Sequence, residues 1–363
     1  MRVLHLPHNI SGGTWRLVEA ERRLGIESEL LTFRSGFPGT DRGGVNLALE
    51  NHRMPANLWK RFLALLTYCS KFDVFHFNWG DSFINSMKFN INHWDMPLLS
   101  VLGKKMVTTF QGCDIRRKSI SLENFDLYCC TFCDEKDCGG RYDRRKASVA
   151  RKVGGYSDKV FVSTPDLLLV LPQADVLPQV APDPVSNQSR YQAPRTGEVL
   201  RVFHSPTWTA KKGTTFLVNA CKRLSDEGNP LELVLSEGRP WDENARLMRS
   251  CHLVVDQLCA GWYGGVSVEA MTWGLPAICF VSDELRLRVT YGSEVPLINA
   301  DINSIYDVLE ECLKSPEILN EHGRKGPPFA KKYHSPDSLA LVTARAYGFL
   351  GEEPPDGKTG SSH

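Results

Sequence analysis

One carboxylate in this chain stands where chemistry is easy to imagine. In "GWYGGVSVEAMTWGLP", residues 261 to 276, Glu269 follows two glycines and precedes Ala-Met. Gly264 and Gly265 carry no Cβ, so bare backbone there can approach a ligand closely. From about Val266 the pattern turns helical, with Gly274 and Pro276 as its stop. The pattern therefore predicts Glu269 in the first turn of a short helix that opens on a glycine loop. Unpaired N–H groups at such an end attract anions, phosphate above all. A carboxylate beside them does not bind phosphate, but it accepts hydrogen bonds from hydroxyls such as those of a ribose. The plainer alternative is a helix start with a Glu favoured by the helix dipole.

Three other segments have comparable content. "HNISGGTW" places Gly12 and Gly13 between a first strand and a helix beginning near Thr14, a loop suited to a phosphate or a sugar, or simply a tight turn. It is not G-x-G-x-x-G, and no acidic residue ends the second strand, "LLTFRSG", which argues against a dinucleotide site. "FHSPTWTAKKGTTFLVNA" ends a strand at His204 and opens a helix on Lys212-Gly213-Thr214. A lysine at a helix N-terminus suits a departing diphosphate. Lys211 and Lys212 could equally be solvated, and the spacing is not that of an ATP-binding P-loop. "VTTFQGCDIRRK" puts Gln111, Gly112, Asp114 and Arg116 after a strand, where polar side chains face the crevice of a parallel sheet; the alternative is a turn stabilised by Asp114.

"YCCTFCDEKDC" carries Cys129, Cys130, Cys133 and Cys138. Four thiolates could hold a structural zinc, with Cys113 as a further candidate, although two C-x2-C pairs are not present. Otherwise these are free thiols in a polar, core-poor loop that something must hold together. In "RYDRRKASVARK", Arg141, Arg144, Arg145, Arg151 and Lys152 are expected near one helical stripe. That stripe over residues 141–152 is either a dock for an anionic membrane or lipid-phosphate acceptor, or a solvated face.

The elements that must position these residues follow a βαβ rhythm. "RVLHL", "SELLTF", "DVFHF", "MVTTF" and "KVFVST" read as strands, with a helix from Thr14 to Leu24. Residues 181–198 read as a linker. The rhythm then restarts with "VLRVFHS", a helix from Thr214 to Glu227, "LELVLSEG", "HLVVDQ" and "AICFVS", and a last helix spans about Pro336 to Leu350. The class is α/β, with two doubly wound Rossmann-like domains facing a central cleft. The boundaries are 1–185, with a Cys-rich insertion at about 126–140, then 199–334, then 335–352 crossing back to the first domain. A length of 363 residues allows two cores, and 23% charged with 42% hydrophobic residues is an ordinary globular balance. A formal charge of +1 speaks against broad nucleic-acid binding. No apolar run approaches the ~18 residues of a membrane span. The start reads as a strand rather than a signal peptide, and eleven scattered cysteines suit a reducing cytoplasm. The end, "GKTGSSH", reads as a disordered tail.

Together these segments resemble the GT-B glycosyltransferases, and among them the retaining family four. The resemblance rests on "KKGTTFLVNA", "GWYGGVSVEAMTWGLP", "VFHFNWG", "VTTFQGCDIR" and "VFVSTPDLLLVLPQADVLPQ" in this order, and it covers nearly the whole chain. It implies a nucleotide-sugar donor, UDP- or GDP-linked, and a saccharide, lipid-linked or small-molecule acceptor. Glu269 would hold the ribose hydroxyls, and Gly264, Gly265 and Val266 would offer N–H groups. Lys212 would neutralise the diphosphate, with His204 beside it, and Gly12-Gly13 would close from the other domain. Gln111 and Asp114 would serve at the reacting sugar. No metal or other cofactor is expected in catalysis. Two positions depart from the family's pattern: Gly261 replaces a usual Glu, and Gln111 a usual His. A sugar-nucleotide epimerase and a non-catalytic sugar-nucleotide-binding subunit are the alternatives, and a cytoplasmic, peripherally membrane-associated location is expected.

Overall fold

The computed structural model describes residues 1–33, 44–47, 49, 54–85, 91–133, 138–184, 191–195 and 197–351, with the side chains of 54–56 left aside. The "GKTGSSH" tail, part of the linker and part of the Cys-rich segment lie outside the described residues.

Two parallel sheets organise the chain. The first contains β1 (Arg2–Leu6), β2 (Glu27–Thr32), β3 (Val45–Asn46), β4 (Val74–Asn78), β5 (Lys105–Phe110), β6 (Lys159–Val162) and β7 (Asp175–Val176), in the order β3-β2-β1-β4-β5-β6-β7. The second contains β8 (Leu200–His204), β9 (Leu231–Leu235), β10 (Leu253–Val255), β11 (Ala277–Cys279) and β12 (Ile298–Asn299), in the order β12-β11-β10-β8-β9. The helices are α1 (Gly13–Arg23), α2 (Met54–Cys69), α3 (Asp95–Val101), α4 (Lys118–Asn124), α5 (Gly140–Tyr156), α6 (Thr209–Lys212), α7 (Thr214–Asp226), α8 (Trp241–Arg249), α9 (Gly265–Thr272), α10 (Asp283–Arg286), α11 (Ile305–Lys314), α12 (Glu317–Tyr333) and α13 (Pro336–Ala346). The chain order reverses around β1 in one sheet and around β8 in the other, so each sheet has a crevice at the carboxyl ends of its central strands.

Both faces of the first sheet are covered, which is why its strands read as nearly continuous apolar runs. Leu4, Leu6, Phe75 and Phe77 pack with Ala64 and Leu65 of α2, Met96 and Leu99 of α3 and Val149 and Val153 of α5. On the opposite face Val3, Val74, Val107 and Phe161 pack with Leu17 and Ala20 of α1 and with Leu339, Ala340, Ala344 and Tyr347 at the end of the chain.

α13 is tied to this sheet by a fully enclosed polar cluster. Glu21 accepts hydrogen bonds from Ser28 Oγ (2.6 Å), Thr343 Oγ1 (2.7 Å) and Tyr347 OH (2.9 Å), and lies 2.8 Å from His5 Nε2. His76 reaches Tyr347 OH at 2.6 Å and Thr109 Oγ1 at 2.7 Å. Burial alone would raise the Glu21 carboxyl, but His5 and the hydroxyls outweigh it and bring its pKa to about 2. A buried carboxylate with this many donors is stable only while all of them are in place. The cluster therefore links α1, β1, β2, β4, β5 and α13.

Candidate functional site

The crevices of the two sheets meet. Between β8 and β10 lies the pair that organises the second one: Lys212 Nζ is 2.5 Å from Asp256 Oδ1, with the carboxylate fully buried. Asp256 follows β10 directly. Its other oxygen accepts from the backbone N–H of Gly264 (2.8 Å), from the N–H of Ser267 (3.3 Å) and from Ser267 Oγ (2.8 Å). Burial pushes this carboxyl up, but Lys212 and the other donors hold it below its ordinary value. The start of α9 is thus capped from within, and Lys212 is held at its mouth. Gly264 sits so close that an added Cβ would lie 3.1 Å from the Asp256 carboxylate and 3.5 Å from Lys212 Nζ.

Glu269 occupies the second turn of α9, not the first, because the helix starts at Gly265 and its first turn holds no acidic residue. One carboxylate oxygen accepts from Trp241 Nε1 at 2.7 Å. Burial raises the Glu269 carboxyl to about 7; the Trp241 hydrogen bond and the Arg16 charge hold it there rather than higher, while Asp256 pushes it up. Arg16 belongs to α1, on the other sheet. Its guanidinium lies 5.7 Å from the centre of the Trp241 ring, and a Cβ on Gly12 would come within 3.4 Å of it. A Cβ on Gly13 would meet Val180 at 3.6 Å, and one on Gly265 would meet Gln179 Oε1 at 3.1 Å. The Gly12-Gly13-Arg16 turn and the Gly264-Gly265-Glu269-Trp241 group therefore line one cleft, from opposite sides. Val266 follows Gly265 in the first turn of α9.

Other expected residues are spent on structure. His204 is fully buried; its Nδ1–H donates to the Val255 carbonyl (2.8 Å) and its Nε2 accepts from Thr214 Oγ1 (2.8 Å). Burial lowers its pKa to about 4, so the ring stays neutral and braces β8 against β10 and α7 instead of facing a donor. Asp114 accepts from the backbone N–H groups of Gln111 (2.9 Å), Gly112 (2.7 Å) and Ile115 (3.1 Å), the self-closed turn that was the alternative to a catalytic role. Gln111 sits beside it at the carboxyl end of β5, half-buried. Arg116 is bound to Asp166 at 2.8 Å. Gly261 adopts φ +69°, and a Cβ there would lie 3.3 Å from Leu285 Cδ1, so the backbone itself is shaped around a glycine where the resembled family has Glu.

The cysteine segment is held by aromatic packing. Phe125 stacks on Tyr128 (4.7 Å between ring centres), Phe132 meets Phe216 of α7 edge-on (5.9 Å), and buried Cys129 and Cys130 join a core with Leu217 and Leu258. Cys133 and Cys138 are half-buried, and residues 134–137 between them lie outside the described ones. Among the described residues no three His, Cys, Asp or Glu side chains are grouped to hold a metal. The cations of α5 do not share one stripe. Arg145 Nη2 turns to Asn85 Oδ1 (2.8 Å) and the Ile91 carbonyl (3.0 Å), and Lys152 to the Asn92 carbonyl (2.5 Å), while Arg144 and Arg151 line a groove on another side.

Asp256, Trp241 and Arg16 were not visible as site residues from sequence. "VVDQL" did carry one signal: an acidic residue at the carboxyl end of an apolar strand. No helix among the described residues is long and apolar enough to cross a membrane.

No family model matches the sequence, and no curated protein matches it. Solved structures do. A sucrose-phosphate synthase from Thermosynechococcus elongatus superposes with a TM-score of 0.60 at 14% identity, covering 96% of this chain and 98% of that one. HepE of Anabaena, in complex with UDP-glucose, gives 0.59 at 13% identity over 96% and 99%. UDP-GlcNAc 2-epimerase from Neisseria meningitidis, bound to UDP-GlcNAc, gives 0.50 at 10% identity over 96% and 100%. At such identities the likeness establishes architecture: two Rossmann-like parallel sheets with their crevices face to face, the GT-B fold.

Proposed function

We propose that this protein transfers a sugar from a nucleotide-sugar donor to an acceptor, with the donor held between the Lys212–Asp256–α9 group and the Gly12-Gly13-Arg16 turn. The observation that carries this reading is the cross-cleft convergence of Lys212, Arg16 and Glu269. Two cations and the free N–H groups of Gly265 and Val266 suit a diphosphate, and a carboxylate fixed through one oxygen leaves the other for ribose hydroxyls. As the bond to the leaving diphosphate breaks, negative charge grows on its oxygens; Lys212, preorganised by Asp256, and the α9 dipole stabilise it without rearrangement. No protein nucleophile is needed if the departing phosphate accepts the acceptor's proton, which is the route consistent with retention of configuration. Gln111, which follows β5 at its carboxyl edge, would hydrogen-bond a sugar hydroxyl. HepE, of the same fold, was crystallised with UDP-glucose, which favours a uridine donor.

Epimerisation of a nucleotide sugar is the second reading. It is favoured by the epimerase of the same fold and by a Glu269 carboxyl poised near neutrality. Calorimetric titration with UDP, GDP and their hexose conjugates, followed by product analysis, tests both. Binding without turnover would indicate a carrier subunit, an epimerised nucleotide sugar the second reading, and glycoside formation the first. Absence of binding by folded protein would refute all three.

A further inference from the structure

α5 carries six basic residues, Arg141, Arg144, Arg145, Lys146, Arg151 and Lys152, against one acid, Asp143. That acid is committed elsewhere, since it accepts from the N–H groups of Lys118 (3.0 Å) and Ser119 (2.8 Å) and caps α4. On one side of α5 lies an open groove of about 440 Å³ lined by Arg117, Arg144, Ala147, Ala150, Arg151 and Val170. None of the three arginines forms an ion pair among the described residues, whereas their neighbour Arg116 is matched to Asp166. Arg117 Nε is buried with no acceptor. Arg144 and Arg151 are seven residues apart, about 10 Å along the helix axis, and the alanines between them leave the space.

We infer that this groove binds a phosphate monoester, and that it anchors the acceptor of the proposed transfer. Three unmatched guanidiniums around one cavity are strongly positive, and the planar fork of each fits two oxygens of a phosphate. A monoester brings a charge near −2 and three acceptor oxygens. The apolar floor of Ala147, Ala150 and Val170 accepts the flat face of a sugar ring or an alkyl chain. The groove is joined to the reaction cleft by a short path: Arg117 ends the same loop that begins with Gln111 at the edge of β5. A phosphate held here would leave the rest of its molecule directed along that loop. The acceptor role rests on the transfer reading; the binding of the monoester does not.

The same chemistry can come from a soluble sugar phosphate or from a lipid headgroup, and the experiment has one arm for each. Wild-type protein, Arg144→Gln/Arg151→Gln and Arg141→Gln are titrated with a hexose 6-phosphate. They are also sedimented with phosphatidylcholine vesicles containing either phosphatidic acid, a monoester, or phosphatidylglycerol, a diester. UDP affinity is measured in parallel. We expect binding to the hexose phosphate, or to phosphatidic acid over phosphatidylglycerol, that weakens about tenfold in the double variant. Arg141→Gln, which lies outside the groove and stacks on Tyr142, should bind as wild type, and UDP affinity should be unchanged in every variant. Both replaced arginines are exposed, so folding is not at stake. Binding to neither monoester, equal binding by the double variant, or equal binding to both lipids without binding of the hexose phosphate would overturn the inference. Absence of UDP binding by the wild type, with monoester binding intact, would count against the transfer reading and leave the groove standing, whereas UDP binding lost only in the double variant would overturn the assignment of the groove to a monoester.

Discussion

Ionisation of Glu269 should govern nucleotide affinity near neutral pH. The carboxyl has a pKa of about 7 in the folded protein against an ordinary 4.5, chiefly through burial. Two ribose hydroxyls donate to a carboxylate better than to a carboxylic acid, so the binding-competent form is the ionised one. Its share is about 9% at pH 6 and about 91% at pH 8, and apparent affinity scales with that share. UDP should therefore bind about tenfold more tightly at pH 8 than at pH 6, some 1.4 kcal/mol. The nucleotide's own terminal phosphate ionises near pH 6, so the meaningful quantity is the wild-type ratio divided by that of Glu269→Gln. Trp241→Phe supplies a second lever. It removes a donor that favours the ionised form, so the midpoint should move to higher pH. The sign for the free protein is opposite. An acid raised on folding contributes stability below its unfolded pKa and loses it as pH rises through the folded one, so the unliganded protein should weaken between about 4.5 and about 7. Calorimetry across this range reads the first effect and urea melts the second. A pH ratio that is the same in wild type and Glu269→Gln would refute the assignment of Glu269 to the ribose.

Four further outcomes follow from the geometry. Lys212→Ala should cost about 3 kcal/mol of stability because it strands Asp256, whereas Lys212→Ala/Asp256→Asn should recover most of that and still lose turnover by about 10²-fold or more, as urea melts and initial rates would show. Below pH 4.5 the Glu21 cluster should fail: a carboxyl brought to about 2 contributes stability present above 4.5 and lost as pH falls through 2, on the order of 3 kcal/mol, and acid melts of Glu21→Gln should lack that slope. Gly261→Ala should destabilise by about 1–2 kcal/mol, since the residue sits at φ +69°, and Gly261→Glu should not raise activity. The zinc reading of the cysteine segment predicts stoichiometric metal in purified protein; less than about a tenth of an equivalent with intact folding would end it.

Much of the fold was legible because strand and helix periods are local properties. The first strand, the helix after it and the segments at Val74, Val107 and Phe161 appeared where periodicity placed them, since a parallel sheet covered on both faces demands continuous apolar runs. Boundaries were less exact: the last helix ends at Ala346 rather than near Leu350. The helix that opens on the Gly264 loop begins one residue before Val266, and even so Glu269 moves out of the first turn. The α5 cations failed as a single stripe for a different reason. Periodicity allots angles around an axis, but Arg145 and Lys152 are drawn off by the carbonyls of Ile91 and Asn92, neighbours that sequence spacing does not identify.

The site was legible only where a residue's neighbours in sequence are also its neighbours in space. Lys212 and the glycine loop were found on that basis. Asp256 was not, because its meaning is relational. An aspartate after an apolar strand is unremarkable until a lysine at the end of α6 and the start of α9 converge on its two oxygens. Removing the lysine would leave a buried charge without compensation, at a cost of about 3 kcal/mol. The pair therefore fixes Lys212 in the crevice, where the proposed transfer would need it beside a diphosphate. Arg16 gives the complementary lesson. It belongs to the sheet that does not carry Glu269, yet it influences that carboxyl across the cleft. In this arrangement the Arg16 charge therefore favours the ionised form of Glu269 against the burial that raises it. Arg16→Gln tests this directly: it should move the midpoint of UDP affinity upward in pH, and it should also lower the plateau at high pH because a cation facing the diphosphate is lost. An unmoved midpoint would refute the influence of Arg16 on that carboxyl.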